Sequence, residues 1–88
     1  MSQIDYETRK SYLKLLKLNG FGETFEKNVV SKISYQSIYE QEIGFKVEVH
    51  LNQFEIMLYA FRDGVEISRM TCLYKETFEV FQFIKQYI

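Results

Sequence analysis

Residues 45–73, FKVEVHLNQFEIMLYAFRDGVEISRMTCL, decide the fold. Phe45, Val47, Val49 and Leu51 alternate with Lys46, Glu48, His50 and Asn52, the period-two pattern of a half-buried strand. Phe54, Ile56, Leu58 and Ala60 repeat the pattern in a second strand. If Asn52-Gln53 is a two-residue turn, Leu51 faces Phe54, Val49 faces Ile56 and Val47 faces Leu58. Both apolar sets then fall on one side of the sheet. Arg62-Asp63-Gly64 predicts a further turn into a third strand near 65–73. Asp63-Gly64 alone suits a type I′ turn, whereas all three residues suit a longer turn with a bulge. The two registers put Val65 and Ile67 on opposite faces.

Helical patterns flank this meander. Residues 2–18 read as a helix, with Ser2 and Asp5 as a variant capping box and Asn19-Gly20 as its stop. Ile4, Tyr12, Leu15 and Leu16 lie near one face, widened by Leu13 and Leu18, opposite Glu7, Lys10, Lys14 and Lys17. Residues 75–88 read as a closing helix with a polar stripe of Lys75, Glu79, Gln82 and Gln86. Its apolar arc is wider than one sheet face requires. The segment 21–43 fits two periods. Phe21, Phe25, Val29 and Ile33 recur every four residues, while Phe25, Val29, Ile33, Tyr35 and Tyr39 share strand parity. A short helix near 23–32 followed by a strand near 33–40 is the expectation. The chain thus reads as one α+β domain over residues 1–88. It is a small antiparallel meander of three to four strands, with an N-terminal and a C-terminal helix packed on it.

Composition narrows the function classes. The formal net charge of −1 supplies no global field for a polyanion. Residues 1–34 carry six basic and four acidic side chains, and residues 35–88 five and eight, a weak asymmetry. Abundant Lys, Ile, Phe and Tyr, with a single Ala and no Pro, point to a low-GC genome, a bacterium or one of its mobile elements. One cysteine, no signal-peptide pattern and no apolar run near the ~20 residues that span a bilayer predict a cytoplasmic protein without membrane attachment.

No constellation for chemistry emerges. One His and one Cys cannot build a closed zinc site, and no EF-hand spacing is present, so no metal or cofactor is expected. His50 and Cys72 form the only thiol–imidazole combination. The strand pattern reads them as a surface histidine and a half-buried cysteine. Gly20-Phe21-Gly22 follows a helix rather than a strand, so it reads as a helix stop and not as a dinucleotide fingerprint. The pairs Glu40/Glu42 and Glu76/Glu79 read as solvated carboxylates. No catalytic residue is assigned and no enzymatic activity is expected, unless a dimer interface assembles one.

Nucleic-acid binding has one feature in its favour, the cluster of Arg9, Lys10, Lys14 and Lys17 on the first helix. The order helix, three strands, helix is also that of double-stranded-RNA-binding domains. The lysine-rich entry to their last helix is missing, because Glu76 follows Lys75. The strand motif of RNA-recognition sheets is missing too.

The most informative feature is excess apolar surface. The middle strand has Phe54, Ile56, Leu58 and Ala60 on one face and Met57, Tyr59 and Phe61 on the other. Either helices cover both faces, or one face is left for association. The leading expectation is a non-catalytic protein-binding module, a small regulator or inhibitor that occludes a surface of a larger protein. Its contacts are Met57, Tyr59, Phe61 and Met70 on the sheet, with Glu55 and Glu66 at the rim, or Phe83 and Tyr87 on the last helix. Size and style match antagonists carried by phages and other mobile elements, such as anti-restriction or anti-CRISPR inhibitors. No residue motif carries that analogy. The alternatives are a nucleic-acid-binding regulator using the basic helix and a homo-oligomer that uses the extra apolar surface on itself, as in a homodimer.

Overall fold

A computed structural model of the chain describes residues 6–88. The expected Ser2–Asp5 capping box and Ile4 lie outside the described residues. Helix α1 (Tyr6–Leu18) is followed by strands β1 (Gly22–Glu23), β2 (Val29–Ile38), β3 (Gln41–Leu51), β4 (Ile56–Arg62) and β5 (Val65–Cys72), and then by helix α2 (Thr77–Tyr87). The strands form one antiparallel sheet in the order β1-β2-β3-β4-β5. The α+β meander is as expected, but the sheet has five strands rather than three or four.

The extra strand, β1, and the early start of β2, expected only near 33–40, replace the short helix expected near 23–32. Thr24 closes a turn there instead. Its N–H donates to Val29 O at 3.3 Å, and its hydroxyl accepts from Glu26 N–H at 3.2 Å. Asn28 then takes a left-handed conformation (φ 63°), which ends any right-handed helix. The β-branched pair Val29-Val30 enters the sheet directly. The four-residue recurrence of Phe21, Phe25, Val29 and Ile33 was coincidental, because a spacing of four also preserves strand parity. Phe25 is fully exposed.

Helix α1 stops where its sequence says it should. Gly20 (φ 92°) donates to Lys17 O at 3.1 Å, and Phe21 donates to Leu16 O at 3.1 Å. This pair of bonds is a Schellman motif, completed by packing of buried Phe21 and Leu16 in the same core. Tyr12 and Leu16 are the buried face of α1, whereas Leu15 and Leu18 are exposed, which makes the apolar face narrower than expected. In α2, Val80, Phe83 and Ile84 are buried and Phe78 is exposed.

Register explains the core. Val30 pairs with Val49, Val49 with Leu58, Val47 with Ala60, Leu51 with Ile56, and Ile56 with Cys72. All of these side chains share one face and meet Tyr12, Leu16, Val80, Phe83 and Ile84 from the helices. The β3–β4 loop runs from Asn52 to Glu55, closed by Asn52 N–H to Glu55 O at 3.0 Å. The register is therefore two residues away from that of a two-residue turn. A shift of two keeps every side chain on its expected face, and only Phe54 leaves the strand. At the next hairpin, Asp63 (φ 49°) and Gly64 (φ 84°) form the two-residue turn. A bulge follows, since Ala60 pairs with Ser68 but Phe61 with Glu66. Turn and bulge coexist, and Val65 and Ile67 are both exposed.

Both helices lie on the same side of the sheet. The β2–β3 hairpin also projects, because Tyr35↔Gly44 through Ile38↔Gln41 pair beyond the end of β4 at Phe45↔Arg62. Its tip, Tyr39-Glu40, has positive φ at both residues (50° and 65°), the geometry of a type I′ turn built without Gly or Asn. The molecule measures 48 × 20 × 20 Å.

Candidate functional site: the open sheet face

Because strand side chains alternate, the residues that do not meet the helices form a second face. It carries Ile33 and Tyr35 from β2, Lys46, Glu48 and His50 from β3, Met57, Tyr59 and Phe61 from β4, and Glu66, Arg69 and Thr71 from β5. Neither helix packs on it. Ile33 is 56% and Tyr35 66% exposed, and the β4 residues are half-buried by their lateral neighbours.

The charges of this face are satisfied within it. Lys46 Nζ lies 3.0 Å from Glu48 Oε2 and 4.6 Å from the centre of the Phe61 ring. His50 Nε2 lies 3.0 Å from Glu48 Oε1, and the His50 ring meets Tyr59 edge-on at 4.8 Å. Burial raises the Glu48 carboxyl, but the hydrogen bonds from Lys46 and His50 outweigh it and hold the group below the usual glutamate range. Arg69 makes a forked pair with Glu66, with contacts from 2.8 to 3.1 Å, and its guanidinium stands 5.4 Å from the Tyr59 ring centre. The Thr71 hydroxyl donates to Met57 Sδ at 2.9 Å. An open depression of about 330 Å³ lies between Ile33, Tyr35, Lys46, Phe61 and Gly64. Tyr35 lies over Gly44, where a Cβ would sit 3.2 Å from the ring, so the glycine makes room for the aromatic.

Of the residues expected at a protein contact, Met57, Tyr59 and Phe61 come together on this face. Glu66 joins them at the rim, opposite Phe61, whereas Met70, Phe83, Tyr87 and Glu55 do not. Met70 pairs with Leu58 on the helix-covered side and packs against the core. Phe83 is only 4% exposed, and Tyr87 is half-buried with its ring 5.3 Å from Phe83 and 6.4 Å from Phe45. Apart from exposed Phe78, the wide apolar arc of α2 packs on the core. Glu66 is bound to Arg69, and Glu55 closes the β3–β4 loop. Ile33, Tyr35, Lys46 and Glu48 were not singled out by sequence, although the parity of 33, 35 and 39 carried the signal.

The basic helix is not a free comb of cations. Arg9 is half-buried and sits beside Tyr74, while Lys17 pairs with Glu23 at 2.5 Å. Lys10 lies 5.8 Å from the Tyr6 ring centre, and Lys14 is exposed. Cys72 and His50 lie on opposite faces of the sheet. Cys72 is fully buried rather than half-buried, and burial pushes its thiol up. Glu76 Oε1 accepts from Leu73 N–H at 2.7 Å, just ahead of α2. Among the described residues, no group of three or more His, Cys, Asp or Glu side chains is placed to hold a metal. Among the described residues, no helix is long and apolar enough to cross a membrane. No family model, curated protein or solved structure matches the chain.

Proposed function

We propose that this chain is a non-catalytic protein-binding module, a small regulator or inhibitor that occludes a surface of a larger protein with its open sheet face. The observation that carries the reading is the placement of both helices on one side. Tyr35, Tyr59, Phe61, Ile33 and Met57 are left together on the other side of the sheet. Aromatic residues and Met are favoured at protein interfaces. The charges of the face already neutralise one another, which suits a protein surface better than a phosphate backbone, for which unpaired cations are needed. The same pairing argues against general acid–base work, since Glu48 is held ionised by its neighbours.

The test uses Tyr59→Asp and Phe61→Asp, both in β4, with Lys14→Asp on the far side as control. A protein that co-purifies stoichiometrically with the parent chain and the control, survives nuclease, and is lost with both β4 variants supports the reading. Circular dichroism must remain native in each variant. Retention of that protein by both β4 variants defeats the assignment of the surface.

A further inference from the structure

The two long edges of the sheet are not alike. On β5 the bulge between Ala60 and Phe61 and the exposed Glu66–Arg69 pair interrupt the edge, and both devices discourage strand addition. On β2 the outer edge is covered only at its start, where β1 pairs Gly22 with Ser31 and Glu23 with Val30. From Lys32 to Ile38 no described strand lies beside it. This stretch is regular, without Pro or bulge, and its one charge, Lys32, is turned back to donate to Asn19 O at 2.9 Å.

The hydrogen-bond phase of β2 is fixed by its neighbours. Asp63 N–H donates to Gly44 O at 2.9 Å, so Gly44 directs its polar groups to the β4 side. Its partner Tyr35 is then in a non-hydrogen-bonded pair and points its own N–H and C=O away from β3. Thr24 N–H to Val29 O on the β1 side, and Leu51 N–H to Asn28 O on the β3 side, set the same phase. Odd-numbered residues of β2 therefore address the outer edge. Val29 and Ser31 meet the β1 segment. Ile33, Tyr35 and Ser37 are exposed and meet no described strand.

We infer that this edge pairs with a second copy of the chain, antiparallel and in one register, with Tyr35 opposite Tyr35 of the partner subunit on the twofold axis. Ile33 then faces Ser37 of the partner subunit, and Ser37 faces Ile33 of the partner subunit. Each of the three outward-facing residues enters a hydrogen-bonded pair, and each such pair exchanges two N–H···O bonds. Sliding the strands either way loses at least one pair, because Ser31 is already held by Gly22 and Tyr39 has turned away at φ 50°. No like charges meet, since Lys32 falls opposite Ile38 of the partner subunit. The two five-stranded sheets become continuous. The axis is normal to the sheet, so both open faces point the same way, with Ile33 and Tyr35 of both copies at the seam.

Sedimentation equilibrium of the full chain, over a concentration series reaching the millimolar range, tests this. The parent chain is expected at twice the chain mass. Tyr35→Pro removes the outward N–H, which an edge strand tolerates, together with the ring over Gly44, and leaves the bonds to β3 in place; it is expected at the chain mass with native circular dichroism. Ile33→Lys combined with Ser37→Lys sets like charges opposite each other twice and is also expected to be monomeric. Ile33→Lys combined with Ser37→Glu sets opposite charges there and is expected to restore the dimer. A parent chain that remains monomeric throughout overturns the inference. A dimer that persists in both Tyr35→Pro and the lysine pair overturns it, and failure of the Lys/Glu pair to dimerise overturns the register. The partner-binding test above reads β4 alone, so the two outcomes are separable.

Discussion

The two faces of the sheet are built from the same strands and follow opposite rules. On the covered face, Val47, Val49, Leu58 and Ala60 are aliphatic, fully buried and pack without any polar partner. On the open face, the intervening Lys46, Glu48, Tyr59 and Phe61 are linked by ion pairs and ring contacts. Stability resides in the first set, where each buried Val or Leu side chain is worth about 1.5–3 kcal/mol. The second set contributes less to folding, because its ion pairs are only part-buried and surface pairs have a median worth of about 0–1 kcal/mol. A face that is aromatic, orderly and energetically dispensable is free to be used for something else.

The largest expected contrast is Leu58→Ala against Tyr59→Ala. Leu58→Ala should cost about 2–5 kcal/mol in denaturant unfolding, through lost burial and a residual cavity. Its neighbour Tyr59→Ala should cost about 1 kcal/mol or less. Equal losses would erase the distinction between the faces. Next is Tyr74→Phe. The Tyr74 hydroxyl donates to Asn52 O at 2.6 Å, tying the entry of α2 to the β3–β4 loop. Its loss should cost about 1–2 kcal/mol.

Smaller effects sharpen the comparison through pH. Burial raises Tyr12, Tyr74 and Cys72, all on the covered side. Groups with raised pKa contribute stability that is full below their unfolded values and lost as pH rises through the folded ones. A fall in stability is therefore expected above about pH 9–10, and Tyr74→Phe should weaken it. Glu48, on the open face, has the opposite sign. Its lowered pKa contributes stability present above about pH 4.3 and lost as pH falls through the depressed value. Glu48→Gln should flatten the acid limb of a pH–melting profile and leave the alkaline limb unchanged. The smallest effect is at the hairpin tip. Glu40→Gly relieves a left-handed non-glycine residue and should stabilise by about 0.5–1 kcal/mol, read from the urea midpoint.

The meander was legible because alternation survives errors of even length. Asn52–Glu55 proved a longer turn than Asn52-Gln53, yet Val47, Val49, Ile56 and Leu58 kept their face. Asn19-Gly20 was legible because left-handed glycine has few other uses after an amphipathic helix. The start of β2 and the tight turn of the β2–β3 hairpin were hidden for the converse reason. Its turn is Tyr39-Glu40, and its first strand follows Asn28, so neither Gly nor Pro marks either end. The candidate surface was half legible. Met57, Tyr59 and Phe61 follow from parity in a clear strand. Met70 falls on the open face only in the unbulged register of the Asp63-Gly64 turn, and the bulge after Phe61 carries it to the covered side; Phe83 reads as available because an apolar arc does not say how much of it a small core absorbs.

Cys72 supplies a clock. It is the only cysteine, 1% exposed, pairs with Ile56 in the covered layer, and is kept protonated by burial. Alkylating reagents act on the thiolate, so they reach it only when helix and sheet separate. Its rate of alkylation in native buffer therefore times the opening of that layer. With no label added, the chain reports its own breathing, and a partner seated on the opposite face would register as a slowing of that clock.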